Sequence, residues 1–434
     1  MKVAFYTLGC KVNQYETEAM REAFIKAGHT SVTEDAPFDA VVINSCTVTA
    51  ESDRKTRQTV RRFRRERPDA IIILTGCMVQ AFSSEAQALS EADIVAGNTD
   101  VEKIVSYSEK FALDGERIFS VSPHGKRERF NTPTLTDFAE RTRAYMKIED
   151  GCERFCTYCI IPTARGFVRS KPVEEIKAEA EKLADAGFSE IVLVGINLTS
   201  YGKGEEINLC DAVSAVCAVD GIKRVRLGSL EPDHMSDEML KRLSEEEKFC
   251  PQFHLSLQSG CDETLKRMNR HYDTEFYRDL VLRIRKIFKN AAITTDVMVG
   301  FAGETEEEFN KSRSFVEEIG FAKVHIFAYS RRQGTVAYGL PNQVSRREKA
   351  ERSRLMSETA AKTEERFLEA QVGKICNVLL ETTEDGYAEG YTENYSRVRV
   401  KSENSFCGNI IPVKIISAEG TYCMGEIVKD GENA

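Results

Sequence analysis

Nine residues near the middle of the chain constrain it more than any other stretch. Gly151 to Cys159, GCERFCTYC, sets Cys152, Cys156 and Cys159 in a C-x3-C-x2-C run. Three thiolates this close can wrap one small inorganic cluster. A cubic four-iron cluster has four iron corners, so three cysteines leave one iron without a protein ligand, and an open coordination position is where such a centre binds a small molecule. The competing reading is a structural zinc site with a distant fourth ligand. Zinc knuckles are usually built from C-x2-C pairs, and the chain has no second close pair to complete one.

The aromatic Tyr158 before the last cysteine and the IIPTARG that follows, Ile160 to Gly166, carry a resemblance. The stretch is similar to the signature of the radical S-adenosylmethionine (SAM) enzymes, and IIPTARG resembles their methylthiotransferase branch. That resemblance implies a [4Fe-4S] cluster on Cys152, Cys156 and Cys159 whose open iron takes the amino and carboxylate groups of SAM.

At 434 residues, two or three domains are expected, each with a sizeable core. Charged residues make up 30% and the net charge is -9, which argues against a general nucleic-acid coat but leaves room for a local basic face. Thirteen cysteines, an odd number and widely scattered, do not form a disulfide scaffold. Residues 1–20 lack the apolar stretch and cleavage site of a signal peptide, so a reducing cytoplasm is expected. No window approaches the roughly eighteen apolar residues of a membrane helix, and no membrane partner is expected.

Strand and helix patterns alternate from the start. Lys2 to Leu8, Asp39 to Asn44, Ala70 to Thr75 and Asp93 to Ala96 read as strands, with helices from Asn13 to Ala27 and Glu51 to Arg67. Such alternation implies an open parallel sheet, whose ligands bind beyond the carboxyl ends of the strands. Cys10, Cys46 and Cys77 each fall just there. Taken singly, each is an ordinary small core residue. Taken together with the downstream motif, they point to a second iron-sulfur cluster, again with one iron free of cysteine. A sheet domain with three spaced cysteines ahead of a radical SAM core resembles the methylthiotransferases. Its opening TLGCKVNQYET, Thr7 to Thr17, is most similar to those acting on threonylcarbamoyladenosine in tRNA. The branches acting on isopentenylated adenosine or on a ribosomal protein differ after the first cysteine, so Lys11, Val12, Asn13 and Gln14 carry the subfamily assignment.

A polar segment from Ser122 to Arg143, with Pro123, Gly125 and Pro133, reads as a linker. Beyond it Ala144 to Glu149 is a strand leading into the cysteine loop. Five further strands then open at Glu190, Lys223, Gln252, Ala292 and Lys323, with helices between them. Six strands fall short of a closed eight-unit barrel and fit an open (βα)6 barrel, which is also what the resemblance implies. Barrel chemistry sits at the carboxyl ends of the strands. Gly195, Ile196 and Asn197 follow the second, Ser229 and Glu231 the third, Gln258, Ser259 and Gly260 the fourth, and GFAGE, Gly300 to Glu304, the fifth. The resemblance assigns Gly195, Asn197, Ser229, Glu231, Gln258 and Gly300 to SAM binding; the bland reading is ordinary turn and cap residues. His254 faces either the barrel or the core. Cys210, Cys217, Cys250, Cys261, Cys376, Cys407 and Cys423 share no ligand spacing and read as structural.

A charged helix from Ser345 to Gln371 precedes five short strands between Val372 and Val428, the pattern of a small all-β barrel of the oligonucleotide-binding kind. Tyr387, Tyr391 and Tyr395 beside Arg397, Arg399 and Lys401 suit base stacking with phosphate contact, and the region resembles the TRAM domain of RNA-modifying enzymes. A second basic feature is RKTRQTVRRFRRERP, Arg54 to Pro68, with six arginines between Arg57 and Arg67. That is more than intrahelical pairing with Glu51 and Glu66 absorbs, so Arg61, Arg62, Arg64 and Arg65 are expected at tRNA phosphates.

The expected organisation is therefore residues 1–121 as an α/β domain with an auxiliary cluster, 122–143 as linker, 144–368 as the radical SAM core and 369–432 as a TRAM domain. Putting sulfur on an aromatic carbon requires removal of an unactivated hydrogen, which side-chain acids and bases do not achieve. The resemblance implies that the cluster at Cys152 cleaves one SAM to a 5′-deoxyadenosyl radical, and that the cluster at Cys10 holds the sulfur that a second SAM methylates. The expected partners are tRNA and a flavodoxin- or ferredoxin-type electron donor, with the sulfur source left open. The alternatives are a methylthiotransferase for isopentenyladenosine or a ribosomal protein, and a non-catalytic zinc-containing RNA-binding protein.

Overall fold

The computed structural model describes residues 1–126, 128–131, 135, 142–402 and 406–428; Pro133 and nine other residues of the expected linker lie outside these. The first domain is an all-parallel sheet in the order β2-β1-β3-β4-β5-β6, made of β1 (Lys2–Thr7), β2 (Thr30–Val32), β3 (Ala40–Ser45), β4 (Ile71–Gly76), β5 (Ile94–Ala96) and β6 (Ile118–Ser120). Every residue of β3 and β4 is buried, because helices cover both faces. Val41, Ile43, Ile72 and Leu74 fill one face, and Val42, Ile71 and Ile73 the other. The edge strands β2 and β6 were not expected. Each has three residues, too few to show a period.

The second domain is the partial barrel. β7 (Ala144–Lys147) is followed by a two-residue ribbon, β8 (Glu149–Asp150) antiparallel to β9 (Arg169–Ser170), which closes the base of the cysteine loop. β10 (Glu190–Val194) pairs in parallel with β7 and with β11 (Arg224–Leu227). The third barrel strand breaks at Gly228 and resumes as β12 (Ser229–Leu230). This pairs with β13 (Gln252–Leu255), then β14 (Ala292–Val299) and β15 (Lys323–Ala328). Six barrel positions result, as expected, and the helices outside share one large apolar core. The long helix Arg346–Glu369, opened by a Ser345/Glu348 capping box, leads to a closed barrel of β16 (Ile375–Glu384), β17 (Tyr387–Thr392), β18 (Arg397–Lys401), β19 (Ile410–Glu419) and β20 (Tyr422–Ile427). Alternate residues of β17 and β18 point into its core of Ala388, Val398 and Val400.

Candidate active site

The sheet register builds the first cysteine group. Thr7 lies opposite Asn44 and Ser45 opposite Gly76, so β1, β3 and β4 end level, and Cys10, Cys46 and Cys77 leave the sheet side by side. Asn13, on the helix Lys11–Lys26, is anchored by Nδ2 to the carbonyls of Leu8 and Ser45. Its Oδ1 lies 3.8 Å from both Cys10 Sγ and Cys77 Sγ. Gly9 has φ +118°, and a Cβ there would sit 3.2 Å from Cys46 Sγ, so this turn has no room for a side chain. Burial pushes the Cys46 thiol up and that of Cys77 up to about 12, each further raised by its sulfur neighbours.

In the barrel loop, burial likewise pushes Cys152 up to about 11 and Cys159 up to about 12, with Cys156 acting on both. Thiols held this way are poor free nucleophiles. They become thiolates against the positive charge of a metal.

Each group carries one buried guanidinium on a sulfur. Arg165, the arginine of IIPTARG, donates from Nε to Cys77 Sγ at 3.2 Å and from Nη2 to Asn13 Oδ1 at 2.7 Å. It is paired with Glu16 and lies 3.4 Å from Asp150, while Lys147 bonds Glu16 and Asp150 at 2.7 Å each. This wholly buried charge set joins the two cysteine groups across the domain boundary. Arg270 donates to Cys156 Sγ at 3.1 Å and is paired with Glu231. Sequence reasoning missed both arginines; Arg165 stood within a quoted motif, and Arg270 had no local signal.

Strand ends surround the cysteine loop. Asn197 spends its side chain on its own turn, with Thr199 Oγ1 donating to Oδ1 at 2.9 Å and Nδ2 donating to Ser200 Oγ at 2.8 Å, so the expected ligand contact does not come from its amide. The group aimed at this place is Glu149, which the sequence did not single out. Its Oε2 accepts from the Asn197 N–H at 2.7 Å, and Oε1 is buried without a partner among the described residues. A Cβ at Gly195 would fall 2.6 Å from Glu149 Oε2, so the glycine exists to admit this carboxylate. Burial pushes Glu149 up to about 8. Glu231 is committed to Arg270, and burial raises it too. Gln258 takes a left-handed φ of +66° between backbone bonds to Asp296 and Met298. Gly300 donates to Glu304 at 2.7 Å and packs under the Lys349 stem, while Arg352 holds Glu304, so GFAGE ties the barrel to the long helix.

A cavity of about 550 Å³ runs through the barrel. Its walls include Cys10, Lys11, Gly195 and Ser229 at one part and Arg226, Tyr391 and Tyr395 at another. His254 faces it, 3.4 Å from Asp296, rather than the core.

Residues 146–316 match the Radical SAM superfamily, and residues 2–97 match the family described as Uncharacterized protein family UPF0004. The chain is 40% identical to the threonylcarbamoyladenosine tRNA methylthiotransferase MtaB of Bacillus subtilis (strain 168), over 98% of this chain and 96% of that protein. The chain belongs to this MtaB family of radical SAM methylthiotransferases. The MtaB of Thermotoga maritima is 37% identical over 98% of each chain. The tRNA-2-methylthio-N(6)-dimethylallyladenosine synthase of Clostridium perfringens (strain 13) is 31% identical over 98% of this chain and 97% of its own. Among solved structures, the radical SAM methyltransferase TsrM of Kitasatospora setae shares the fold with a TM-score of 0.54 at 14% identity, covering 75% of this chain and 74% of TsrM.

The cofactors of the MtaB family, SAM and [4Fe-4S], fit the residues present. Among the described residues no three His, Cys, Asp or Glu side chains are placed to hold a metal ion as they stand. Asn13 Oδ1 is shared by Cys10 and Cys77, Cys156 acts on both Cys152 and Cys159, and the unpartnered Glu149 oxygen suits an ammonium group. All thirteen cysteines are free of disulfides, and among the described residues no helix is long and apolar enough to cross a membrane.

The expected RNA contacts of this methylthiotransferase fare unevenly. On the helix Ala50–Glu66, Arg57, Arg61, Arg62 and Arg64 pair with Glu85, Glu91, Glu34 and Asp93, none of them on that helix. Arg64 also bonds the carbonyls of Pro68, Ala70 and Glu91 and is a strut of the sheet edge. Arg65, with 76% of its side chain exposed, remains the most open. In the C-terminal barrel Arg397 and Arg399 share Glu389, and Lys401 is exposed. Tyr391 and Tyr395 stack on each other at 4.5 Å under Arg143 and Arg226, so these two rings serve the junction with the large barrel instead of standing free for bases.

Proposed function

We infer that this chain places a methylthio group on carbon 2 of N6-threonylcarbamoyladenosine in tRNA, using two [4Fe-4S] clusters and two SAM molecules per product. The supporting observation is that the segment after the cysteine loop reaches the first cysteine group: Arg165 touches Cys77 Sγ at 3.2 Å, and one cavity is lined by both Cys10 and the Gly195–Ser229 edge. The higher identity to the MtaB relatives than to the dimethylallyladenosine synthases supports the choice of substrate.

When bound, the clusters and SAM supply an electron, a hydrogen-abstracting radical and the sulfur. Cys152, Cys156 and Cys159 would hold one cluster, and Cys10, Cys46 and Cys77 the other. Glu149 Oε1 would receive the ammonium of SAM, with Gly195 leaving the space and the Asn197 N–H fixing the carboxylate. Ser229 lines the same cavity as Gly195, and Gln258 and Gly300 would complete the SAM contacts. Arg165, Glu16, Lys147 and Asp150 hold the two centres at a fixed separation, since rearranging buried, mutually paired charges is costly. Tyr158 packs edge-on against Phe301 beside the loop and shields it from water. Electrons would come from a flavodoxin- or ferredoxin-type donor in the cytoplasm, and Arg65, Arg397, Arg399 and Lys401 would contribute to tRNA binding. Mass spectrometry of tRNA nucleosides tests the reading. Cells lacking the gene should accumulate threonylcarbamoyladenosine and lose its 2-methylthio derivative, with recovery on complementation. Loss of the isopentenyladenosine derivative instead would overturn it.

A further inference from the structure

The cavity beside Cys10 is lined by five Lys and Arg side chains against two carboxylates, Glu364 and Asp296, the latter facing His254. Of the cations on its walls, Arg143 pairs with Glu381 at 2.6 Å, Arg226 with Glu190 at 3.1 Å, Lys323 with Glu364 at 3.1 Å and Arg397 with Glu389 at 2.6 Å. Lys11 has no carboxylate in ion-pair range among the described residues; its ammonium lies 5.7 Å from the Tyr145 ring centre. The carboxylate that does act on it from further away, Glu190, is already shared by Arg143, Arg224 and Arg226. Lys11 also opens the helix Lys11–Lys26, whose first turn carries no acidic residue, so the positive end of the helix points the same way. Lys11 is itself solvent-accessible on the cavity wall, so its ammonium stands open to an anion that enters.

We propose that Lys11 is the specificity residue that binds the carboxylate of the substrate's threonylcarbamoyl group, an inference that rests on the functional reading above. Lys11 follows Cys10 directly, so the anion-binding ammonium and the sulfur-bearing centre share one wall. A base anchored there by its N6 substituent is held beside the sulfur. An uncharged isoprenoid substituent on N6 offers the ammonium nothing.

The test uses anaerobically reconstituted enzyme and two anticodon stem-loop RNAs, one with threonylcarbamoyladenosine and one with its carboxylate converted to the primary amide. Affinities are read by fluorescence anisotropy and KM and kcat by product formation, with iron and acid-labile sulfide content as the check on intact centres. The wild-type enzyme prefers the acid RNA on the order of tenfold or more, as a charge-assisted contact gives. Lys11→Gln and Lys11→Met, both uncharged, bind the two RNAs alike, the change falling on KM for the acid RNA, while Lys11→Arg restores the preference. A neutral variant with full iron content that keeps the wild-type preference overturns this inference alone. Wild-type enzyme that forms no product on the acid RNA overturns the functional reading and this inference with it.

Discussion

Glu149 keeps its proton well above the range of an exposed carboxyl because it is buried with one oxygen unpartnered. Between its ordinary value of 4.5 and about 8, the folded chain retains a proton that the unfolded chain has released. Its contribution to stability is therefore fully present below that window and is lost as pH rises through it. Urea denaturation of SAM-free protein should show a stability loss between pH 5 and 8 that Glu149→Gln reduces by up to about 1.4 kcal/mol per pH unit. Cys10→Ala tests a different residue: SAM cleavage should persist while methylthio transfer is abolished, and undiminished product would remove Cys10 from the sulfur-bearing centre. Arg165 and Arg270 would tune clusters held on these cysteines, since hydrogen bonds and positive charge at sulfur raise the potential of a cluster. Arg270→Met should make the radical-generating centre harder to reduce, as read by a potentiometric titration followed by paramagnetic resonance.

Among the elements, those carrying the six cysteines were legible because long apolar runs such as Val41–Ile43 and Ile71–Leu74 end abruptly at a polar residue or glycine just before a cysteine. The ribbon β8–β9 was not, since two residues per strand show no alternation. The partners of the basic helix were not legible for another reason. Glu34, Glu85, Glu91 and Asp93 lie far from it in sequence, so counting charges within the helix leaves the arginines unmatched although the fold matches most of them. The SAM edge was half legible: Gly195 marks the place, but the group it admits sits on another strand. Arg64→Ala should then cost about 1–3 kcal/mol in a urea unfolding experiment through lost bonds to Asp93 and three carbonyls. Arg65→Ala should stay within about 0.5 kcal/mol of wild type and act, if anywhere, on the salt dependence of tRNA binding.

On the scale of the whole molecule, the three parts are held by arginines reaching across boundaries. Arg224 and Arg226 donate to the carbonyls of Tyr391, Asn377, Glu393 and Thr392 and so seat the C-terminal barrel against the large one. Arg226→Leu would strip Glu190 of its 3.1 Å partner and release two of these carbonyls. Limited proteolysis should then cut between residues 369 and 375, where the wild-type chain resists. At the other boundary Arg332 is paired with Asp53 and bonded to Thr47, next to Cys46. Glu16 has the widest reach: a residue of the first domain, it neutralises Lys147 and Arg165 of the second, all three being buried. Any amino-terminal half joined to this barrel would therefore have to arrive bearing acids where Glu16 and Asp53 stand, so exchange of whole halves is restricted to donors that share both.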